Sequence, residues 1–117
     1  FLHDLPATIE AEGILFCHAT PLNDVDFFYA ETPEEEVAAA FAHVGADTVL
    51  CGHSHRQFDR SIAGRRVVNA GSVGMAQEDE PGAYWTLLGP DVDLRRTAYG
   101  PAPLSAAATY PRPWWDA

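Results

Sequence analysis

The chain has 117 residues, 47% of them hydrophobic, and a formal net charge of −10. That size holds one domain with a small core, and no apolar run approaches the roughly 18 residues of a membrane span. The acidic balance disfavours a long nucleic-acid backbone as ligand, which needs clustered Lys or Arg. The only basic pairs, Arg65-Arg66 and Arg95-Arg96, read as exposed turn or strand residues.

Residues 1–12 read as a lead-in with an edge strand starting after Pro6, and His3 as a surface residue. Residues 13–18 form the first strong strand, apolar on both faces as a sheet covered on both sides requires. It ends on His18-Ala19-Thr20-Pro21. In the loop over 19–31, Asp24 and Asp26 read either as carboxylate ligands or as polar turn residues. The aromatic run Phe27-Phe28-Tyr29 either lines a pocket or tucks onto the core, and the core reading is preferred.

Thr32-Pro33-Glu34-Glu35 predicts a helix start, with Thr32 as cap, Pro33 at the first helical position and Glu35 closing a capping box. Val37, Phe41 and Val44 then share one face, and Gly45 ends the helix. His43 falls in the last turn, where a cation suits the helix dipole, so it needs no catalytic explanation. The helix feeds a buried strand, Asp47–Cys51. Strand, helix and strand together predict a parallel pair joined by a crossover.

Beyond His55, the segments Gln57–Ile62, Arg66–Asn69, Ala83–Leu88 and Val92–Ala98 read as short strands between turn signals. Their close spacing predicts an antiparallel meander over 57–98. Residues 77–82 read as an exposed acidic turn. The tail, 100–117, carries a short helix at 104–109, with Trp114 and Trp115 anchoring it by burial.

Three strands thus end on His18, on Gly52-His53-Ser54-His55, and on Asn69-Ala70-Gly71-Ser72. In open α/β sheets, sites form outside the carboxyl ends of strands. The i, i+2 spacing of His53 and His55 can aim both imidazoles at one region. By itself such a pair is either a solvated loop or the start of a divalent-metal site. Cys17 and Cys51 sit inside apolar strands and read as reduced core thiols. A competing reading makes them ligands of a structural zinc. Against it, alternation along the strand turns Cys17 and His18 to opposite faces. With no secretory leader in the sequence and no sign of disulfides, the expected compartment is cytoplasmic.

The order His18-Ala-Thr-Pro, Gly52-His53-Ser54-His55 and Asn69-Ala-Gly-Ser-Val-Gly resembles the C-terminal half of the calcineurin-like metallophosphoesterases. It is closest to their small prokaryotic phosphodiesterase branch, which shows His-Gly-(Thr/Ser)-Pro, Gly-His-Thr-His and Asn-Pro-Gly-Ser. Ala19, Ser54 and Ala70 depart from that pattern, and none of the three removes a ligand. The resemblance covers roughly residues 1–99.

The fold this resemblance implies is α/β with α+β-like character. The same resemblance implies that residues 1–117 are a single partial domain, the C-terminal half of a four-layer α/β/β/α sandwich. The resemblance also implies a two-metal site that clamps a phosphoryl group for in-line attack. In it His18 and His53 bind one divalent ion and His55 the other, the ion being Mn, Fe, Zn or Ni. The implied substrate is a small phosphoester, with no membrane partner. The family's Asp-x-His, Gly-Asp and Gly-Asn-His segments do not occur here. No catalytic residue is therefore assigned. The expected partner of this chain is the missing N-terminal half of the same domain, and the chain alone is expected to be inactive. Three neutral imidazoles can hold one zinc ion, but two dications close together need a carboxylate to offset their repulsion. The alternative implied by the resemblance is a non-catalytic scaffold, the role the phosphoesterase fold takes in retromer.

Overall fold

The computed structural model describes residues 1–99; the expected helix at 104–109 and the Trp114-Trp115 anchor lie outside them. After a single 3-10 turn (Leu2–Asp4) come β1 (Thr8–Ala11), β2 (Ile14–Cys17), α1 (Glu34–Phe41), β3 (Thr48–Cys51), β4 (Phe58–Ile62), β5 (Arg65–Asn69), β6 (Ala83–Leu88) and β7 (Val92–Thr97). The first five strands form one mixed sheet in the order β1-β2-β3-β5-β4, and β6-β7 form a second, two-stranded sheet.

The strand–helix–strand unit is as the pattern predicts: β2 and β3 are parallel, with Leu15 opposite Val49. The strands after β3 do not form a continuous meander. β5 passes to the far side of β3 and pairs with it in parallel, with Cys51 opposite Asn69. β4 then closes the edge, antiparallel to β5. The hairpin chemistry of that pair explains the difference. Ala63 and Gly64 take φ of +49° and +74°, the two positive values of a type I′ turn, which returns β5 directly beside β4. Val67 and Val68 are both fully buried, so β5 has the two-sided apolar character of an interior strand. β4 alternates instead, with Phe58 and Ile62 buried and Asp59 and Ser61 outward.

The core lies where α1 and the preceding loop cover this sheet. Phe28, Phe41, Val49, Phe58, Ile62 and Val67 form its centre. Phe28 packs edge-on against Phe41, with ring centroids 5.6 Å apart, and touches Phe58 at 5.4 Å. β2 departs from expectation in being half-buried along its whole length. The aromatic triplet divides: Phe28 is core, while Phe27 and Tyr29 are exposed.

The helix start also differs from the predicted capping box. Pro33 occupies the N-cap, with no side-chain cap. The Thr32 hydroxyl accepts from Tyr29 N–H at 2.9 Å instead, stabilising the loop rather than the helix. Glu34 accepts the Ala63 N–H at 2.8 Å, which locks α1 to the β4–β5 turn. The helix ends at Phe41, and Val44 still packs into the core.

The β6–β7 sheet is joined to the main sheet by two polar links. Gln57 Nε2 donates to the carbonyls of Ala70, Trp85 and Arg95. Arg66 bridges Asp59 at 2.7 Å and Asp91 at 2.8 Å. Those two carboxylates raise its pKa, and the guanidinium holds Asp91 below the usual carboxylate value.

Candidate metal centre

The three parallel strands β2, β3 and β5 end at one edge of the sheet. Their ladders continue one residue further, with Gly52 N–H donating to His18 O at 2.9 Å and Ala70 N–H to Cys51 O at 3.0 Å. His18, the Gly52–His55 loop and the Asn69–Gly71 turn are therefore set side by side by the sheet itself.

His18 and His53 meet. Nε2 of His18 lies 2.9 Å from Nδ1 of His53, with ring centroids 4.7 Å apart. The far nitrogen of His53, Nε2, faces the Val25 carbonyl at 3.2 Å, and Phe27 lies against the same ring at 4.0 Å. When His53 donates its Nε2–H to that carbonyl, its Nδ1 keeps a lone pair turned toward His18. Backbone carbonyls orient metal-binding imidazoles in this way.

His55 turns differently. Its Nδ1 lies 3.0 Å from the Met75 carbonyl, which leaves Nε2 as the open nitrogen. His53 and His55 line one cleft of about 630 Å³, together with Phe27, Tyr29, Ser54, Arg56 and Gln77. His18 lines a neighbouring cleft with Thr20, Asn23 and Asp24. Asp26 is engaged by Asn23 Nδ2 at 2.7 Å, the polar-turn alternative for this residue. Among the described residues, no group of three or more His, Cys, Asp or Glu side chains surrounds a common point.

The fit to a divalent ion can be judged on this geometry. Two nitrogens each about 2.0–2.1 Å from one ion lie about 3 Å apart when their bonds meet near a right angle. The His18–His53 separation matches that span, and imidazole suits Zn, Fe and Ni. The pair fits a single ion. A second ion would rest on His55 alone among the described residues.

The loop that carries the histidines is strained. His53 and His55 have φ of +67° and +59°. Ser54 N–H donates to Gly52 O at 2.8 Å, so His53 is centred in a γ-turn of the rare positive-φ form. Such residues cost about 1–3 kcal/mol each and persist only where neighbours hold them.

Asn69 is the principal holder. It is buried, donates through Nδ2 to Gly52 O at 2.6 Å and Ser54 Oγ at 3.0 Å, and accepts Gly71 N–H at 2.9 Å. Gly71, at φ +79°, has no room for a Cβ, which would lie 2.8 Å from Gln57 Cγ and Tyr84 Cβ. On the other flank, Gln77 N–H donates to His55 O at 3.0 Å, and Glu78 accepts Gln57 N–H. The acidic turn is thus part of the scaffold of this loop.

Sequence reasoning assigned Asn69 a place in a motif but no task; the signal was a lone amide directly after two valines at a strand end. Asn69→Ala is expected to lower stability by about 1–3 kcal/mol, the cost of leaving buried polar groups unpaired. Urea unfolding checks it, and midpoints equal to wild type would show that other contacts hold the loop.

The cysteines directly precede the site, Cys17 at the end of β2 and Cys51 at the end of β3, and Cys51 is buried in the core. Burial pushes the Cys17 thiol up to about 11. Burial first, and then the neighbouring Cys17, push Cys51 higher still. Alkylation needs the thiolate, so both thiols are unreactive near neutral pH in the folded chain. Among the described residues neither cysteine belongs to a cluster of three potential metal ligands. At pH 7.5, iodoacetamide is expected to leave both thiols unmodified in folded protein and to modify both in urea, as read by mass spectrometry.

A mixed sheet with imidazoles gathered at the carboxyl ends of its parallel strands is the framework of an α/β protein built to bind at that edge. The chain belongs to the calcineurin-like phosphoesterase superfamily, whose domain model matches residues 2–88. Its fold is shared by solved structures, among them two that are similar to it over most of this chain. One is a metallophosphoesterase from Sphaerobacter thermophilus, with TM-score 0.70 and 19% identity over 85% of this chain and 51% of that one. The other is a hypothetical protein from Pyrococcus horikoshii, with TM-score 0.68 and 23% identity over 86% of this chain and 43% of that one. The chain therefore spans about half the length of the structures it matches. A search of curated proteins finds no match.

Proposed function

We propose that the protein is a metal-dependent phosphoesterase and that this chain supplies His18, His53 and His55 to a two-metal site. The observation that carries this reading is the 2.9 Å approach of the His18 and His53 rings at the strand ends of a phosphoesterase-family domain. The divalent ions would polarise a phosphoryl oxygen and lower the pKa of water. His53 and His18 would hold one ion and His55 contribute to the other. Val25 and Met75 carbonyls would fix the ring tautomers, and the Asn69 amide would hold the loop in its strained form.

The proposed substrate is a small phosphoester, more in keeping with a phosphodiester than with a long polynucleotide given the net charge of −10. The proposed ions are divalent, from among Mn, Fe, Zn and Ni, and the cytoplasm is the proposed compartment. Among the described residues no helix is long and apolar enough to cross a membrane. The carboxylate shared by two ions has no counterpart motif in these residues, so the 117-residue chain alone is expected to show no turnover.

Metal analysis of the full-length protein tests the reading. Two ions per protein supports the enzyme. One tightly held zinc indicates a structural site, and little or no metal indicates a protein-binding scaffold.

A further inference from the structure

Six arginines lie among residues 1–99, and five are engaged with the protein. Arg60 donates to the carbonyls of Tyr29, Ala30 and Thr32. Arg65 donates to the Val44 carbonyl, and Arg66 bridges two aspartates. Arg95 pairs with Asp93 and stacks over Trp85, and Arg96 pairs with Glu80. The sixth, Arg56, is half-buried, yet its side chain has no hydrogen bond or ion pair among the described residues. It lines the cleft that His53 and His55 share.

Phe27 and Tyr29 line the same cleft and are 61% and 37% exposed, although Phe28 between them is buried in the core. Their loop is fixed. Phe28 anchors it from below, Arg60 clamps the carbonyls of residues 29, 30 and 32, and Thr32 Oγ1 accepts the Tyr29 N–H. Two aromatic side chains on a held backbone and Arg56, whose guanidinium has no partner among the described residues, thus line a single cleft beside two histidines. A guanidinium matches the oxygens of a phosphoryl group with parallel donors. Rings on a backbone held in place beforehand stack at reduced entropic cost.

We propose that Arg56, Phe27 and Tyr29 form a substrate-reading wall that selects phosphoesters carrying a planar aromatic group. Arg56 holds an anionic oxygen of the ester, and the two rings stack on the aromatic group. This rests on reading the adjacent histidines as the phosphoester site. Nucleoside phosphates and aryl phosphates share the required chemistry.

The test is calorimetric titration of the full-length protein with adenosine 5′-phosphate, phenyl phosphate and ribose 5-phosphate, with chelator present so that neither turnover nor metal contributes. The first two are expected to bind about tenfold more tightly than ribose 5-phosphate, as one stacked ring provides. Tyr29→Leu should reduce that preference, Phe27→Leu with Tyr29→Leu should erase it, and both should leave ribose 5-phosphate unchanged. Arg56→Gln should weaken all three by about tenfold, in line with the loss of a charge-assisted contact. Tighter binding of adenosine 5′-phosphate than of phenyl phosphate identifies a nucleoside ligand, and the reverse order an aryl phosphate. Equal or undetectable binding of all three to natively folded protein overturns the proposal, as does an Arg56→Gln variant with wild-type affinities. Metal content of the same protein prepared without chelator reads the proposed metal site separately from the cleft wall. A metal-free wild type in the absence of chelator sinks the phosphoesterase reading, and the ligand preference remains measurable beside it.

Discussion

His53→Ala in the full-length protein is expected to lower metal-dependent hydrolysis of a chromogenic phosphodiester by roughly 100-fold or more. Changes to the partners of metal-binding histidines already cost about 10–100-fold, and His53 is proposed as a ligand itself. It is also the most surrounded of the three rings, contacted by His18, by the Val25 carbonyl and by Phe27. Bound metal should fall together with the rate, which separates loss of a ligand from loss of a pocket wall. His43→Ala is the matched control: His43 is exposed just beyond α1, and its removal should change neither quantity. Chelator should abolish the wild-type rate, and manganese or another first-row divalent ion should restore it. Wild-type turnover in His53→Ala would falsify the ligand assignment.

The parts of the fold set by local chemistry were legible in the sequence. The α1 face of Val37 and Phe41, the β3 strand and the hairpin β6–β7 follow from periodicity and turn residues. The helix stops a turn earlier than Gly45 predicts, and Val44 packs from beyond its end. The position of β5 was not. Whether Val67-Val68 continues a meander or crosses to β3 depends on which neighbour buries both valines, a long-range choice that spacing does not encode. Thr32 misled for a related reason. Its hydroxyl is a sound cap by propensity, but Tyr29 N–H is nearer once the loop folds back onto Arg60.

At the site, the sequence placed three histidines at strand ends and left their orientation open. Two backbone carbonyls, from Val25 and Met75, decide it, and a carbonyl belongs to every residue alike. The same holds for the strain at His53 and His55, which arises from the way Asn69 grips the loop. A motif read as three ligands therefore becomes one close pair, His18 with His53, and one histidine facing the shared cleft with its other nitrogen tied back.

Phe41→Ala is expected to cost about 3–5 kcal/mol, the range for truncating a fully buried aromatic side chain. A domain of this size has about 5–15 kcal/mol in all, so the variant should sit near the limit of folding. Phe41 is completely inaccessible and lies where α1, the sheet and the 19–31 loop meet, with Phe28 edge-on against it. Its loss leaves a cavity that a short helix locked to the β4–β5 turn through Glu34 cannot close by shifting. Phe28 is also the anchor of the segment that carries Phe27 and Tyr29, so the cavity should reach the cleft wall before the fold fails. Phe41→Leu keeps most of the volume and should cost less than about 1.5 kcal/mol. Urea unfolding of the three proteins ranks them, and a Phe41→Ala midpoint level with that of Phe41→Leu would show that the core collapses around the missing ring.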